Sequence, residues 1–303
     1  DIEFFQEIKK IPLKNSTICA FGSTRRKNST CEQDSSLQTL LAAQTEVVVI
    51  FGKAWPFHVT EIIKTTLEEN LLMIKETCAY LKEQGKRVFF DAEHFFTAYQ
   101  ENKDYALKTL QAALDGGAEV LCLCETKGGS MINQVQTAVK EVVSLFGKKA
   151  QIGIHTHNDS GLAVANSLVA VSEGATHVQG VLLGFGERTG NANLSTIIPN
   201  LQLKMGHECI PEENLAKLTP ICKQVAEIAN IKLNSQLPFV GANAFSHKAG
   251  MHIDAVLKNP KAYEHICPDQ LGNERKFLMS EVAGRSTIIK KIQKFAPSIQ
   301  KSD

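Results

Sequence analysis

Between residues 16 and 204 one local pattern recurs six times: a short apolar run, a polar loop, then a longer stretch with helical spacing. The apolar runs fall at 16–21, 46–51, 87–93, 120–124, 152–157 and 177–183. The helical stretches fall at 34–44, 58–84, 103–114, 133–146, 162–173 and 194–204. Strands that alternate with helices are joined by crossovers, so they lie parallel and bury both faces. A closed β/α barrel and an open, doubly wound sheet both meet that condition. The polar residues separate them. They stand at the ends of consecutive strands, which is the working rim of a barrel, and not at one point where strand order reverses. The expected fold is therefore α/β, a (β/α)8 TIM barrel. Such a barrel needs two strands more than these six. The chain opens on Asp1-Ile-Glu-Phe-Phe5, an amphipathic helical pattern with no strand and no initiator Met before it. The first strands are thus expected to be missing from the chain.

The repeat stops after residue 206. Pro211-Glu-Glu213 opens a helical stretch to 230, a loop covers 232–241, and 249–257 reads as helix again. The expected division is a barrel domain at 1–206, incomplete at its N-terminus, and a small, mostly helical domain at 207–303. No apolar run reaches the roughly 18 residues of a membrane span. A formal charge of +1 argues against bulk attraction to nucleic acid or membrane, so neither is an expected partner. Eight cysteines are scattered with no Cys-x-x-Cys pair. In a chain of this size without a secretory leader they read as reduced thiols in a cytoplasmic protein.

Chemistry concentrates at 155–191. His155 and His157 stand two apart at the end of an apolar run. On a strand that spacing points both imidazoles to one face, as two ligands of one metal ion require. A bare His-x-His also occurs as a structural pair, but here Asn158-Asp159 follows at once. Two imidazoles need an oxygen ligand to complete a site, and Asn191 on the next loop can supply an amide oxygen. Glu93 ends the run 87–93 and shares its parity with Asp91, so it is either a solvated strand end or a carboxylate aimed at the metal. Thr126 shares parity with Cys122 and Cys124, which turns its hydroxyl inward to bond a substrate. Gly184-x-Gly186-x-x-x-Gly190 has the glycines of a phosphate cradle but the spacing of no standard one. In the second domain Ser246-His-Lys-Ala-Gly-Met-His-Ile-Asp254 is the one polar cluster. By itself His252 there is a surface histidine that can also exchange protons near neutral pH.

The runs 155–166, His-Thr-His-Asn-Asp-Ser-Gly-Leu-Ala-Val-Ala-Asn, and 186–191, Gly-Glu-Arg-Thr-Gly-Asn, resemble a signature of the 2-isopropylmalate, homocitrate and citramalate synthase family. The resemblance covers almost the whole chain. Phe21-Gly-Ser-Thr-Arg-Arg26, Asp91-Ala-Glu-His-Phe-Phe96, Tyr263-Glu-His-Ile266, Asn273-Glu-Arg275 and 280–286 are most similar to its citramalate branch. The resemblance implies a Claisen condensation of acetyl-CoA with a 2-oxoacid, pyruvate above all, in branched-chain amino-acid synthesis. It implies a divalent metal of the Mg, Mn or Zn class, held by His155 and His157 with Asn191 beside it. Glu93 and Thr126 match residues that hold the oxoacid, and His252 and Tyr263 match a pair that moves protons at acetyl-CoA. A homodimer is implied, as is a C-terminal regulatory domain that lies beyond this chain.

The chain also departs from the pattern. The first-strand Arg-Asp-Gly, which supplies a metal ligand and an oxoacid contact, is absent from this chain. Glu125 stands for Asp, Leu183 for Asn and Ala249 for Gly. Isopropylmalate or homocitrate synthesis remains open, as do a hydroxymethylglutaryl-type lyase and a non-catalytic relative. The lyase class carries Cys in the loop after the last strand, whereas 186–191 has none.

Overall fold

The computed structural model describes residues 2–278 and, beyond them, 289, 292, 293, 296 and 298; the run 280–286 lies outside the described residues. The chain divides into two units. The first comprises Asp1–Gly180 with Gly184–Ala192, and the second Val181–Leu183 with the residues from Asn193 on. The helices at 194–204, assigned by the sequence pattern to the barrel domain, fall in the second unit.

The first unit is a parallel sheet of six strands in sequence order. They are β1 (Cys19–Ser23), β2 (Val47–Lys53), β3 (Arg87–Glu93), β4 (Val120–Glu125), β5 (Gln151–Thr156) and β6 (His177–Gln179). Each strand pairs with the next in the chain, and β1 and β6 are the edges. A doubly wound sheet reverses its strand order part-way, whereas a barrel wall does not. The helices between the strands are α2 (Ser35–Ala42), α3 (Leu67–Glu83), α4 (Phe95–Glu101), α5 (Lys103–Asp115), α6 (Ile132–Phe146) and α7 (Ala163–Ser172), with α1 (Ile2–Ile8) ahead of β1.

Strand parity gives the sheet two chemically different faces. Ala20, Val48, Ile50, Val88, Phe90, Ala92, Leu121, Leu123, Ile152 and Ile154 are buried together in the main core, with residues of α2, α3, α5 and α6. The alternate positions form the other face. Register sets Phe51 beside Asp91, Asp91 beside Cys122, Cys122 beside Gly153, and Cys124 beside His155 beside Gln179. Polar and ionisable side chains thus gather at the C-terminal ends of this second face, where β/α barrels keep their chemistry.

The local chemistry of the chain explains most element ends. Asp34 caps α2 by accepting from the N–H groups of Ser36 and Leu37. The expected single helix at 58–84 is two pieces, a π-helical turn at His58–Ile62 and α3. Lys64 adopts a positive φ of 52°, and Thr66 caps α3 by accepting from Glu69 N–H. The apolar periodicity carries across this break, so spacing alone hides it. The run expected as a strand at 177–183 is a strand only through Gln179; Val181 makes an isolated bridge with Asn193, and Leu182–Gly184 is a tight turn, with Leu183 at φ 63°. α4 falls between the expected strand at 87–93 and the expected helix at 103–114.

The second unit is mostly helical, with α8 (Leu194–Pro199), α9 (Glu212–Leu215), α10 (Leu218–Ile228) and α11 (Gly250–Lys258). The helical stretch expected at 194–204 ends in a π-helical turn from Asn200 to Lys204. A short parallel pair, β7 (Ser246–His247) and β8 (Lys276–Phe277), was not expected from the sequence. Leu215, Leu218, Cys222, Phe239, Val240 and Leu271 form its core. Among the described residues no helix is long and apolar enough to cross a membrane. All eight cysteines are free.

Candidate active site at the C-terminal rim of the sheet

His155 and His157 leave β5 on one face, as their spacing requires, and Thr156 between them points the other way. The Thr156 hydroxyl donates to Ala163 C=O and meets Ser167 Oγ, which locks the strand end onto α7. The two histidines face each other with their Nε2 atoms 3.3 Å apart. Burial, then the neighbouring His157, pushes the His155 pKa down to about 4. Burial, then Arg188, also lowers that of His157. Both rings are therefore biased toward the neutral form, the form that ligates metal.

Asn191 arrives through the loop 184–192, which folds back along the end of β5. His157 and Asn191 form an isolated antiparallel bridge, and Ala192 N–H donates to Thr156 C=O at 3.0 Å. The glycines make this fold possible. A Cβ at Gly186 would strike the Asn191 side chain, and one at Gly190 would strike Gly184 C=O. Gly190 N–H and Asn191 N–H are bonded within the loop, to Glu187 and Gly184 C=O. The glycines thus serve close backbone approach, and these two N–H groups are spent inside the loop instead of being offered to a phosphate.

The Asn191 amide donates through Nδ2 to Phe185 C=O, which leaves its Oδ1 buried with no hydrogen-bond partner. His157 Nδ1 is buried and unpartnered as well. Buried polar atoms without partners are costly and call for an explanation. Two neutral imidazoles beside an orphaned amide oxygen form a donor set suited to a divalent cation.

Glu93 at the end of β3 meets Lys53 at the end of β2 in an ion pair. It also lies with His58 and His94, one potential ligand atom from each falling within 4.8 Å of the others. This is a second place with metal-ligating chemistry, but Lys53 already neutralises its carboxylate. Burial, then the charge on Lys53, lowers the His58 pKa, and burial with His58 and Lys127 pushes that of His94 down to about 3. His94 adopts φ 60°, held there as its N–H donates to Thr126 Oγ1 at 2.8 Å. Because Thr126 Oγ1 accepts that bond, its own O–H remains free to donate. Neither His58, Lys53 nor His94 stood out in the sequence, where they obey no common spacing.

Glu125, expected as a mere replacement for Asp, is 2% exposed and builds the next loop. Its carboxylate accepts from Ser130 Oγ at 3.0 Å, and burial raises its pKa against the hydrogen bonds from Ser130 and the backbone of Gly128 and Gly129. Gln179 and Asp91 complete the rim. Gln179 Oε1 lies 3.0 Å from His155 Nδ1, and its Nε2 donates to Asp91 Oδ1 at 2.8 Å.

His252 and Tyr263 lie in the second unit, where their rings stack at 4.1 Å between centroids. The neighbouring Glu264 carboxylate is buried. It accepts two 2.6 Å bonds from Arg275 and meets His247 Nε2 at 3.0 Å.

Residues 1–226 match the HMGL-like family, and 239–303 match the homocitrate synthase post-HMGL domain. The chain is 53% identical over 98% of its length to an (R)-citramalate synthase of Aquifex aeolicus, of which it spans 56%. It is 35% identical over 84% of its length to a homocitrate synthase of Pyrococcus horikoshii, spanning 68% of that protein. The fold resembles the Bacillus subtilis HMG-CoA lyase structure with a TM-score of 0.62, at 21% identity, over 76% of each chain. The chain thus spans little more than half the length of the (R)-citramalate synthases it matches.

Proposed function

The chain belongs to the HMGL-like family, its residues 1–226 carrying the barrel wall, and from that premise we propose that it is the barrel-bearing part of an (R)-citramalate synthase. The reaction joins acetyl-CoA to pyruvate. The acetyl methyl loses a proton and bonds to the keto carbon, the keto oxygen gains a proton, and water cleaves the thioester to free CoA. What carries the reading is the 53% identity to an (R)-citramalate synthase along 98% of the chain, against 35% to a homocitrate synthase.

His155, His157 and the Asn191 amide oxygen are the proposed holders of a divalent cation of the Mg, Mn or Zn class. Bound there, it would supply Lewis-acid polarisation of the oxoacid carbonyl. The chain's own groups then orient the substrate. Thr126 offers its free O–H to the oxoacid carboxylate. Glu93 keeps its place through Lys53 and faces the substrate from the end of β3. His252 and Tyr263 are the proposed proton-transfer pair for acetyl-CoA. The complete protein is proposed to be a cytoplasmic homodimer.

The test uses full-length protein. Thiol release from acetyl-CoA is followed with pyruvate, 2-oxoisovalerate or 2-oxoglutarate, beside a cleavage assay with hydroxymethylglutaryl-CoA. Pyruvate should give the highest kcat/KM. Preference for 2-oxoisovalerate or 2-oxoglutarate would move the protein to the isopropylmalate or homocitrate branch, and carbon–carbon cleavage of hydroxymethylglutaryl-CoA to acetyl-CoA and acetoacetate, with no thiol released, to the lyases.

A further inference from the structure

An imidazole that ligates through Nε2 must carry its proton on Nδ1, and the partner of Nδ1 decides that. Three groups from three strands settle the matter for His155. Asp91 on β3 is 5% exposed, and its carboxylate accepts from Gln179 Nε2 at 2.8 Å. A carboxylate accepts hydrogen bonds and an amide NH2 only donates them. This contact therefore fixes which way round the Gln179 amide lies. Its Oε1 is left facing His155 Nδ1 at 3.0 Å. An amide oxygen can only accept, so Nδ1 must hold the ring proton and Nε2 must keep its lone pair. That lone pair is the one turned toward His157. β6 pairs Gln179 with His155 in register, so the backbone delivers the contact. Beneath it the interior is filled: a Cβ at Gly153 would meet His177 Cδ2 at 3.0 Å and Cys122 Cβ at 3.1 Å.

We propose that Gln179 is a positioning residue: oriented by Asp91, it holds His155 as the Nδ1–H tautomer so that Nε2 stays free for a divalent cation beside His157. The proposal rests on the reading that His155 and His157 hold the ion. Gln179 touches neither substrate nor ion in this scheme and acts through His155 alone.

Two measurements on the full-length protein test it. The first needs no variant: long-range 1H–15N correlation of the metal-free protein, with His155 assigned by H155N, should show the Nδ1–H pattern. A dominant Nε2–H pattern would overturn the proposal. The second is calorimetric titration with Mn2+. Gln179→Leu keeps the bulk but loses the acceptor, and should weaken binding roughly 10–100-fold. In the double variant Q179E/D91N an amide at 91 donates to a carboxylate at 179, which still accepts from Nδ1–H. That pair should recover most of the lost affinity. Equal Mn2+ affinity in wild type and Q179L overturns this inference alone. Wild-type protein that binds no Mn2+ overturns the functional reading and this inference with it.

Discussion

Arg188 grips Asp159 through both carboxylate oxygens, Nε at 2.7 Å from one and Nη2 at 2.8 Å from the other. Nη2 also donates to Thr126 C=O at 2.8 Å. One guanidinium thus ties the loop after β6 to the loops after β4 and β5. Gly128 lies against the same carboxylate at φ 68°, where a Cβ would collide with Asp159. Arg188 holds the Asp159 carboxyl below its usual range, chiefly by hydrogen bonding. A depressed folded value means that the stabilisation is present above the unfolded carboxylate range, about 3.9, and is lost as pH falls through the lowered value. Arg188→Met should therefore lower the melting temperature at neutral pH, and the gap to wild type should close in acid. The effect is small, below about 1 kcal/mol, because the pair is partly exposed. A gap that widens on acidification would contradict this account.

The facing imidazoles give a second prediction. His155→Ala and His157→Ala should each abolish both Mn2+ binding and pyruvate-dependent thiol release in the full-length protein. His58→Ala, from the cluster beside Glu93, should leave Mn2+ binding largely intact. The reverse pattern in titration calorimetry would move the ion to His58, Glu93 and His94.

Thr126 separates a hydroxyl role from a packing role. Thr126→Val keeps the shape but orphans His94 N–H, which costs about 1 kcal/mol for a part-buried group. It also removes the proposed donor to the oxoacid, so KM for pyruvate should rise by more than any fall in kcat. Thr126→Ser should restore the wild-type KM. Steady-state kinetics of the two variants decide, and a Ser variant no better than Val would show that the methyl group matters instead.

Parity made much of this rim legible. In 87–93 it separates Val88, Phe90 and Ala92, which pack in the core, from Asp91 and Glu93 on the other face. The same rule brings His155 and His157 together. What spacing cannot show is register between strands. Gln179 lies 24 residues from His155 and 88 from Asp91, and only the successive pairing of β3, β4, β5 and β6 unites the three. Turn geometry was equally hidden at residues 63–66, where Thr66 restarts the helix without interrupting the apolar spacing. In the second unit helical spacing is legible at 211–230 and 249–257, where α10 and α11 form, but it says nothing of the polar cluster between them and β8. His247, Glu264 and Arg275 come from β7, a loop and the residue before β8.

That last cluster carries the strongest stability prediction. The Glu264 side chain is 3% exposed, and Arg275 reaches it with both Nε and Nη2. Burial by itself pushes the carboxyl up, but hydrogen bonds from Arg275 and His247 outweigh it, and the net shift is downward. The network's stabilisation is therefore present above the usual glutamate range and lost as pH falls through the lowered value. Glu264→Ala leaves a guanidinium and an imidazole facing a void. Removing one partner of a buried pair costs about 3–5 kcal/mol, and the low end applies because Arg275 keeps some solvent access. Glu264→Gln retains the volume and one acceptor, so it should lose less. Tyr263 precedes Glu264 in the chain and stacks on His252, so E264A should also lower kcat for thiol release while KM for pyruvate stays near the wild-type value. Urea unfolding at neutral and acidic pH, paired with those kinetics, provides the check. Stability of E264A equal to wild type at neutral pH would show that the ion pair merely breaks even with its desolvation.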